Sequence, residues 1–569
     1  MSRHFFIGAL IVLLLTTNSL RFMVTVKMTF LKKIHTHRCF LLIAMCLILF
    51  SLSFLVRYHN GEQSKFLNYR YSYFGIPVAV SYLQGHPRNY AGFKSAFDNL
   101  PRHPPPEQYN GLIEKALEIS PQEMDYPIMF LADIGMADTA YYAFSLFGPK
   151  KESIFYFINL LIFGSLSAFL IRFRRDAPAL VVGIIGTLVL LMDSKYGFLI
   201  STGKSGITDP SSFAVLMLFP ISHLVLTASQ RQPIEDQPNL TIRTGVLFYQ
   251  LAFLFFINLT RQTVVVQSAP LFLGGVLFVI ISIYKDFRVR FMFSRLSVII
   301  LLGITIMGVG LYKDFVKSPI AYSKGQSHPF WHNMRWGLAF NREIAKEAGW
   351  PYQFICTEED RKTDPCRNLC ASLGASCQAP DNIAVYNVKL HLERQRKFHE
   401  ASWMIPNPSG YKWNFYENTG KEIFFETLLK MPAASARLFF WDKPKRVAEI
   451  VQSDIGSVIF KVVFHPFVLI TLITTVLLAW RDWKRWNLLQ ATFIFFSFFS
   501  MSAAVPIVFF PQNYIMGSVE FSFISLITYA LFLTLLALPF ILTAGWRRLN
   551  PASGGAPVMA TTSHSIEES

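Results

Sequence analysis

The hydrophobic positions of this chain fall into long runs that are separated by shorter polar and basic segments. A run of about 20 apolar residues is what an α-helix needs to cross the hydrocarbon core of a bilayer. The pattern therefore predicts an all-α polytopic membrane protein with about ten transmembrane helices. The predicted spans lie near 39–55, 152–171, 177–193, 211–228, 244–259, 268–284, 296–312, 457–480, 487–510 and 518–545.

A shorter apolar run at residues 5–20 precedes the first of these spans, and several basic residues follow it. Three interpretations stay open. The run is an eleventh, marginal span, a signal-like segment, or sequence upstream of a later start at Met23 or Met28.

Basic residues cluster at alternate ends of the runs. Cytoplasmic loops carry an excess of Lys and Arg, so these clusters indicate which side of the membrane each loop occupies. If every span crosses, all the clusters fall on one side. This places residues 57–151 and 313–456 outside, and it places both ends of the chain in the cytoplasm if the run at 5–20 does not cross. The clusters are Arg172, Arg174 and Arg175; Arg231 and Arg243; Lys285, Arg288, Arg290 and Arg295; Arg481, Lys484 and Arg485; Arg547 and Arg548.

The predicted organisation follows from these boundaries, and it alternates membrane blocks with two large outer segments. It comprises an N-terminal segment (1–38), the first span (39–56), an extracytoplasmic loop (57–151), a six-span block (152–312), a small extracytoplasmic domain (313–456), a three-span block (457–545) and a disordered cytoplasmic tail (546–569).

Composition agrees with a membrane protein and identifies the bilayer as the first partner. The 569 residues are 52% hydrophobic and 15% aromatic, which exceeds what a soluble core of this size requires. A net charge of +17 would suggest nucleic acid in a soluble protein. Here the basic residues flank apolar runs and no nucleic-acid motif accompanies them, so no nucleic-acid partner is predicted.

Four cysteines lie in the second outer segment, at Cys356, Cys366, Cys370 and Cys377. Cysteines on the outer side of a membrane meet an oxidising compartment, so we predict two disulfides. A zinc site is less favoured because its ligands come in short pairs such as C-x-x-C, whereas nine, three and six residues separate these cysteines.

Two acids, Asp133 and Asp138, stand among apolar and aromatic residues at 126–151, directly before the second span. The composition predicts a helix lying at the membrane surface, and two interpretations stay open. The acids simply face water, or one of them points into a cavity, where it acts as a general base or holds a divalent cation. Asp138 ranks first because Tyr141 and Tyr142 share its helical face, whereas Asp133 precedes Gly135 and fits a helix cap.

Candidate binding residues lie in the other outer segments. Arg261, in a short outer turn, is suited to a lipid phosphate or to snorkelling towards headgroups. Lys204 lies in an outer loop whose STGKSG run lacks the full phosphate-loop motif, and it is suited to an anionic group. Aromatic and basic residues at the start of the second segment are suited to a sugar, a lipid headgroup or an interfacial aromatic belt: His328, Trp331, His332 and Arg335.

This layout of spans, long first outer loop and acid-bearing surface helix resembles the GT-C class of integral membrane glycosyltransferases. The resemblance implies sugar transfer from a polyprenyl-phosphate carrier at the extracytoplasmic face, with Asp138 or Asp133 as the catalytic acid and Arg261 on the carrier phosphate. The phrases around Asp133–Gly148 and His328–Asn341 also look like those of uncharacterised bacterial multispan proteins. A lipid or small-solute transporter and a non-enzymatic envelope assembly protein are the alternatives. All these readings predict an integral membrane protein, in a bacterial inner membrane.

Overall fold

The computed structural model describes residues 34–59, 75–85, 106–118, 135–196, 216–229, 240–260, 263–285, 289–316, 413–445 and 465–479, with a few isolated positions at 334–344. These residues are helical almost throughout. The helices are α1 (Ile34–His59), α2 (Ile76–Leu83), α3 (Pro106–Glu118), α4 (Gly135–Phe147), α5 (Lys151–Phe173), α6 (Ala177–Tyr196), α7 (Leu218–Ser229), α8 (Leu240–Thr260), α9 (Thr263–Lys285), α10 (Val289–Val316), α11 (Trp413–Lys430), α12 (Pro432–Arg437) and α13 (Pro466–Ala479).

Within these residues, three helices are long and apolar enough to cross a bilayer: α1, α5 and α8. Shorter apolar segments lie in α6, α7, α9, α10 and α13. Large apolar side chains remain exposed on the outside of the bundle, among them Ile48, Leu273, Ile304, Met307 and Leu477. Soluble proteins rarely expose large contiguous apolar surfaces, so this exterior is compatible with an integral membrane protein.

Side-chain contacts give the relative directions of the first three long helices. Phe50 and Phe54 of α1 pack on Phe163 and Phe155 of α5, so the residue number falls along α5 as it rises along α1. The two helices are therefore antiparallel. Further along, Cys46 of α1 lies beside α6 at Leu180, and Leu52 and Leu55 line a cavity with Leu191 and Met192. Helices α1 and α6 therefore run in the same direction.

The remaining neighbours continue this alternation. Helix α8 is antiparallel to α5, since Ser165 contacts Gln250 and Phe157 contacts Phe256. Helix α7 is parallel to α5, because Phe169 packs on Phe219 and Phe173 on His223. Helices α9 and α10 are antiparallel, since glycines on each approach the other: Gly275 approaches Ile299, and Gly303 approaches Phe272. These directions are the ones expected if α1 and α5 to α10 cross a membrane one after another, each in the direction opposite to the one before.

Basic residues lie at both ends of the bundle, with more arginines at one of them. One end holds the C-terminus of α1 and the start of α5, with Arg57, Lys150, Lys151 and the acid Glu152. The other end holds the turn between α5 and α6, where Arg174 and Arg175 are exposed and Arg172 is buried. Arg243, in the first turns of α8, lies within electrostatic range of Arg172. Arginines from two connections thus gather at the end opposite to the start of α5.

Three short helices, α2, α3 and α4, pack together over the start of α5. The Asn110 side chain of α3 caps α5: its Oδ1 accepts from the Lys151 amide at 3.0 Å, and its Nδ2 donates to the Glu152 carboxylate at 3.1 Å. Gln84, just after α2, donates to the Leu117 carbonyl at the end of α3 at 2.8 Å. These caps satisfy backbone groups that helix ends leave without intrahelical partners. They also hold the short helices against the bundle.

Helices α11 and α12 pack against each other in the segment at 413–445. Met431, which has a non-helical conformation, separates the two helices, and Pro432 begins α12. A π-helical turn at Leu438–Asp442 follows α12. The Phe424 and Phe439 rings meet with centroids 6.3 Å apart. Lys443 is 1% exposed, with its ammonium 4.8 Å from the Phe439 ring centroid.

Several predictions lie outside the described residues. They include the apolar run at 5–20, the spans at 487–510 and 518–545, the C-terminal tail and the two disulfides. They stay predictions.

Burial lowers the pKa of Lys443 from 10.5 to about 7. Between these values the unfolded chain binds more protons than the folded one, so stability rises with pH from about 7 to about 10.5. Because one proton is involved, the slope is at most about 1.4 kcal/mol per pH unit. We expect Lys443→Met to flatten the pH dependence of thermal unfolding of the whole protein across this window, whereas Lys445→Met, at an exposed position, leaves it unchanged. Equal slopes in the two variants would contradict the assignment.

Candidate functional site

Helix α4 is fixed to the bundle by a close backbone contact at its first residue. A Cβ on Gly135 would lie 2.6 Å from the carbonyl carbon of Leu259 and 2.6 Å from the amide nitrogen of Thr260. Real Cβ atoms do not approach other atoms so closely, and only glycine lets two backbones pack at this distance. The first turn of α4 is therefore held against the last turn of α8.

This contact carries Asp138 into the protein. Asp138 is 3% exposed, and Met136, Ala137 and Ala140 around it are fully buried. The alternative in which this acid simply faces water is therefore wrong for Asp138. The sequence could not show this, because the helix is short and its apolar residues do not reveal which face the bundle covers.

The Asp138 carboxylate accepts a hydrogen bond from a tyrosine of a distant helix. Tyr312, near the end of α10, donates its hydroxyl to Asp138 Oδ2 at 3.4 Å. The Tyr312 ring stands edge-on to Phe255 of α8, with centroids 5.8 Å apart, which fixes its direction. Tyr312 is half-buried, whereas Asp138 is buried.

The two tyrosines that the sequence analysis placed beside Asp138 make ring contacts elsewhere. Tyr141 stands edge-on to Tyr82 of α2, and Tyr142 stacks on Phe157 of α5. They hold α4 on its two neighbours. Tyr312 was missed because it lies 174 residues away in sequence, and no local pattern signals such a contact.

The end of α4 turns sharply into α5. Gly148 has φ of +88°, a left-handed conformation that L side chains rarely adopt, and its amide donates to the Phe144 carbonyl at 2.9 Å. The Ser153 hydroxyl then donates to the Gly148 carbonyl at 2.6 Å. Helix α4 is thus held at both ends, by Gly135 on α8 and by Gly148 on α5.

Asp138 lies in the first turn of α4, where the positive end of the helix dipole stabilises negative charge. A fixed carboxylate with an adjacent phenol is suited to accepting a proton from a bound hydroxyl or to contacting a cationic group. No group of three or more His, Cys, Asp or Glu side chains suited to a metal ion occurs within the described ranges.

Asp138 is the single candidate site residue that the described ranges contain. The others lie outside them, so the structure neither brings them together nor separates them. These are Asp133, Lys204, Arg261, His328, Trp331, His332 and Arg335, together with Cys356, Cys366, Cys370 and Cys377.

A second polar group, which the sequence analysis also missed, lies inside the bundle. The Ser165 hydroxyl donates to Gln250 Oε1 at 2.6 Å, and Gln250 Nε2 donates to the Ser165 carbonyl at 2.8 Å. The same Nε2 lies 3.4 Å from His223 Nδ1. The amide nitrogen of Gln250 can only donate, so His223 Nδ1 is assigned as the acceptor. The ring proton of His223 is then assigned to its own Nε2. The group joins α5, α7 and α8, as polar residues between membrane helices commonly do.

Comparison with known proteins adds no relative. No protein-family model, curated protein or solved structure matches this chain.

The Gly135 contact predicts a large difference between two glycine substitutions. Gly135→Ala forces the α4 and α8 backbones apart, with an expected cost of about 1–3 kcal/mol for overpacking. Gly111→Ala is the matched control, because Gly111 is exposed in α3 and nothing lies within 4 Å of its Cβ position. It should stabilise the protein slightly, by about 0.5–1 kcal/mol. Thermal unfolding of the purified protein measures both, and equal effects would show that the close contact does not form.

Proposed function

We propose that this protein is an integral membrane glycosyltransferase that uses a polyprenyl-phosphate-linked sugar at the extracytoplasmic face, with Asp138 as the general base. The observation that carries the proposal is a buried carboxylate on a short, doubly anchored helix at one end of the helical bundle. Catalytic bases need fixed geometry, and Asp138 has it.

The location of α4 supports an extracytoplasmic site. Arginines of the α5–α6 turn and of α8 lie at the opposite end of the bundle from α4. The positive-inside rule favours the cytoplasm for that end, and this supports an extracytoplasmic position for the Asp138 end. Polyprenyl-linked sugars presented at that face would meet α4 directly.

The proposed reaction is a substitution at the anomeric carbon of the sugar. The acceptor hydroxyl oxygen forms a bond to this carbon as its proton passes to Asp138. The bond between the carbon and the carrier phosphate oxygen breaks, and polyprenyl phosphate leaves with that electron pair. Tyr312 keeps the carboxylate aimed by donating its hydroxyl to Oδ2. Arg261 is the proposed contact for the carrier phosphate, because a guanidinium group matches phosphate oxygens. It directly follows Thr260, whose amide nitrogen lies against Gly135 at the start of α4.

The second candidate function, transport of a lipid or small solute, has the polar group on α5, α7 and α8 as its main support. Transporters place polar and ionisable groups at the bilayer midplane. Here Ser165 and Gln250 satisfy each other through two hydrogen bonds, which is how polar residues stabilise helix packing. We therefore favour the enzyme.

Substitution of the acids tests the catalytic assignment. Asp138→Asn keeps the shape of the side chain and removes the base, so we expect turnover to fall roughly 10²–10⁴-fold. Asp133→Asn should cost little activity, and Arg261→Ala should raise KM more than it lowers kcat. The assay is sugar transfer from a polyprenyl-phosphate donor by the purified protein, with and without a chelator to test for a divalent cation. Full activity in Asp138→Asn together with loss in Asp133→Asn would reverse the assignment.

The Tyr312 contact predicts a smaller effect of its own. Tyr312→Phe keeps the ring on Phe255 and removes only the hydroxyl that reaches Asp138, so we expect kcat to fall about tenfold, equivalent to about 1.4 kcal/mol. The control is Tyr141→Phe, which keeps the ring contacts of Tyr141 with Tyr82 and Tyr142. If both variants keep wild-type kcat, Tyr312 does not position the base.

A further inference from the structure

Two buried polar atoms of α7 have hydrogen-bonding capacity that the described part of the chain does not use. His223 is 0% exposed, and its Nδ1 is the acceptor for Gln250, which leaves Nε2 to donate. The hydroxyl oxygen of Thr227 is buried as well. Neither His223 Nε2 nor Thr227 Oγ1 has a hydrogen-bond partner among the described residues. Because a buried donor without an acceptor is costly, these atoms point to an acceptor that those residues do not supply.

Thr227 differs in this respect from other hydroxyl residues of the bundle. A serine or threonine within a helix commonly donates to the carbonyl four residues earlier. Ser222 of the same helix and Thr244 of α8 both make this bond. Thr227 does not make it within the described residues, so its hydroxyl is able to bond to another group.

His223 and Thr227 lie four residues apart, so they share one face of α7. The centroid of the His223 ring is 5.3 Å from that of Phe173 on α5, and its Nδ1 contacts Gln250 of α8. This face of α7 is therefore directed towards α5 and α8. Because α7 runs parallel to α5, Thr227 lies one turn closer than His223 to the end of the bundle at which α5 finishes.

Two arginines lie on facing sides of α5 and α8 at this end. Ser165 pairs with Gln250 between these two antiparallel helices. Arg172 comes seven residues after Ser165, and Arg243 comes seven residues before Gln250, so both lie about 10 Å further along the same helical faces. Arg172 is buried and lies within electrostatic range of Arg243 and His223. Hydrogen-bond donors of α5, α7 and α8 are thus gathered in one region.

This region carries an excess of positive charge. Helix α8 starts here with the positive end of its dipole, whereas α5 and α7 end here with their negative ends. The full charges of Arg172 and Arg243 exceed the half-charge of a helix end. Asp176 offsets part of this charge, and its carboxylate also accepts from the Ala179 amide at 3.1 Å. An anion therefore suits the unused donors better than a neutral group does.

We propose that these donors bind a phosphate group, with Arg172 and Arg243 pairing with its charge and His223 and Thr227 donating to its oxygens. A guanidinium fork matches phosphate oxygens, and a tetrahedral phosphate can accept from three helices at once. The phosphate belongs to an anionic phospholipid of the adjoining leaflet or to soluble phosphate. The site lies at the opposite end of the bundle from Asp138, and it takes no part in the proposed sugar transfer.

Ligand titration of the delipidated full-length protein tests the arginines. The probes are phosphatidylglycerol, a diacylglycerol with the same chains and no phosphate, and inorganic phosphate at constant ionic strength. We expect the wild type to bind phosphatidylglycerol about tenfold more tightly than the diacylglycerol, or to bind inorganic phosphate. Arg243→Gln should weaken that binding about tenfold, the loss of one charge-assisted hydrogen bond. Arg174→Gln is the matched control, because Arg174 is an exposed arginine of the same end that does not belong to the group.

Thermal unfolding with and without the bound probe tests the buried donors. Thr227→Val keeps the shape of the side chain and removes the unused hydroxyl. It should raise Tm in the absence of phosphate and weaken phosphate binding about fivefold. Thr244→Val is the control, because the Thr244 hydroxyl is exposed and bonds to the Leu240 carbonyl. It should leave phosphate binding unchanged.

The results distinguish the two sources of phosphate. Phosphatidylglycerol that inorganic phosphate does not displace identifies a lipid headgroup, and binding of inorganic phosphate without a preference for phosphatidylglycerol identifies soluble phosphate.

Three results would overturn the proposal. The first is that the wild type binds neither phosphate probe, which would leave a buried water as the acceptor. The second is equal weakening by Arg243→Gln and Arg174→Gln, which would indicate general surface charge. The third is binding that occurs only when Glu235→Gln is combined with Asp236→Asn. These two acids precede α8 in the sequence, and such a result would show that the chain's own carboxylates use the donors.

Discussion

The close approach of α4 to α8 is the constraint on which the candidate site depends. Gly135 lets the start of α4 lie against the backbone of Leu259 and Thr260. Without this approach α4 would rest on the surface of the bundle as an ordinary amphipathic helix, with its acid in water. With it, the first turn is buried, the carboxylate of Asp138 enters a region of low dielectric, and Tyr312 from a distant helix comes within reach. The absence of a Cβ at Gly135 is thus what allows α4 to be buried instead of lying on the surface of the bundle.

The bundle gives this local arrangement a direction. Helices α1, α5 and α6 alternate in direction, and α7 and α8 continue the alternation through contacts with α5. The short helices α2, α3 and α4 cap the end at which α5 begins, whereas Arg172, Arg174 and Arg175 lie at the end where it finishes. Under the positive-inside rule, the excess of arginines at one end is the feature that would orient the Asp138 site towards the other compartment.

Sequence patterns predicted the helical, membrane-compatible architecture because it follows from long-range averages of hydropathy. The apolar runs at 39–55, 152–171 and 244–259 correspond to the three helices, α1, α5 and α8, that are long and apolar enough to span a bilayer. Asp133 and Asp138 were both selected from composition, and Asp138 was ranked first for the helical face that it shares with Tyr141 and Tyr142. The number of spans and the outer domain depend in part on residues outside the described ranges and stay predictions.

Details of the site depend on tertiary contacts that no local pattern encodes. The Tyr312 hydroxyl, the Gly135 approach and the pairing of Ser165 with Gln250 each join positions far apart in the chain. Of these three features, only Gly135 was noticed in the sequence, as a glycine near the predicted start of the helix. The sequence indicated only that a helix begins near Gly135, with Asp133 as its cap. The packing role of Gly135 becomes visible only with the backbone of α8 beside it.

The most direct test of the account is the side of the membrane on which each end of α5 lies. Gln108 is exposed on α3, whose Asn110 caps the start of α5, and Arg174 is exposed just past its end. Cysteines introduced at these two positions can be reacted with a membrane-impermeant maleimide in intact cells, with the wild-type chain as the baseline. The account predicts that Gln108→Cys reacts from outside and that Arg174→Cys reacts only after the membrane is permeabilised. The reverse pattern would place Asp138 in the cytoplasm and contradict the proposed function, and reaction of both in intact cells would show that α5 does not cross.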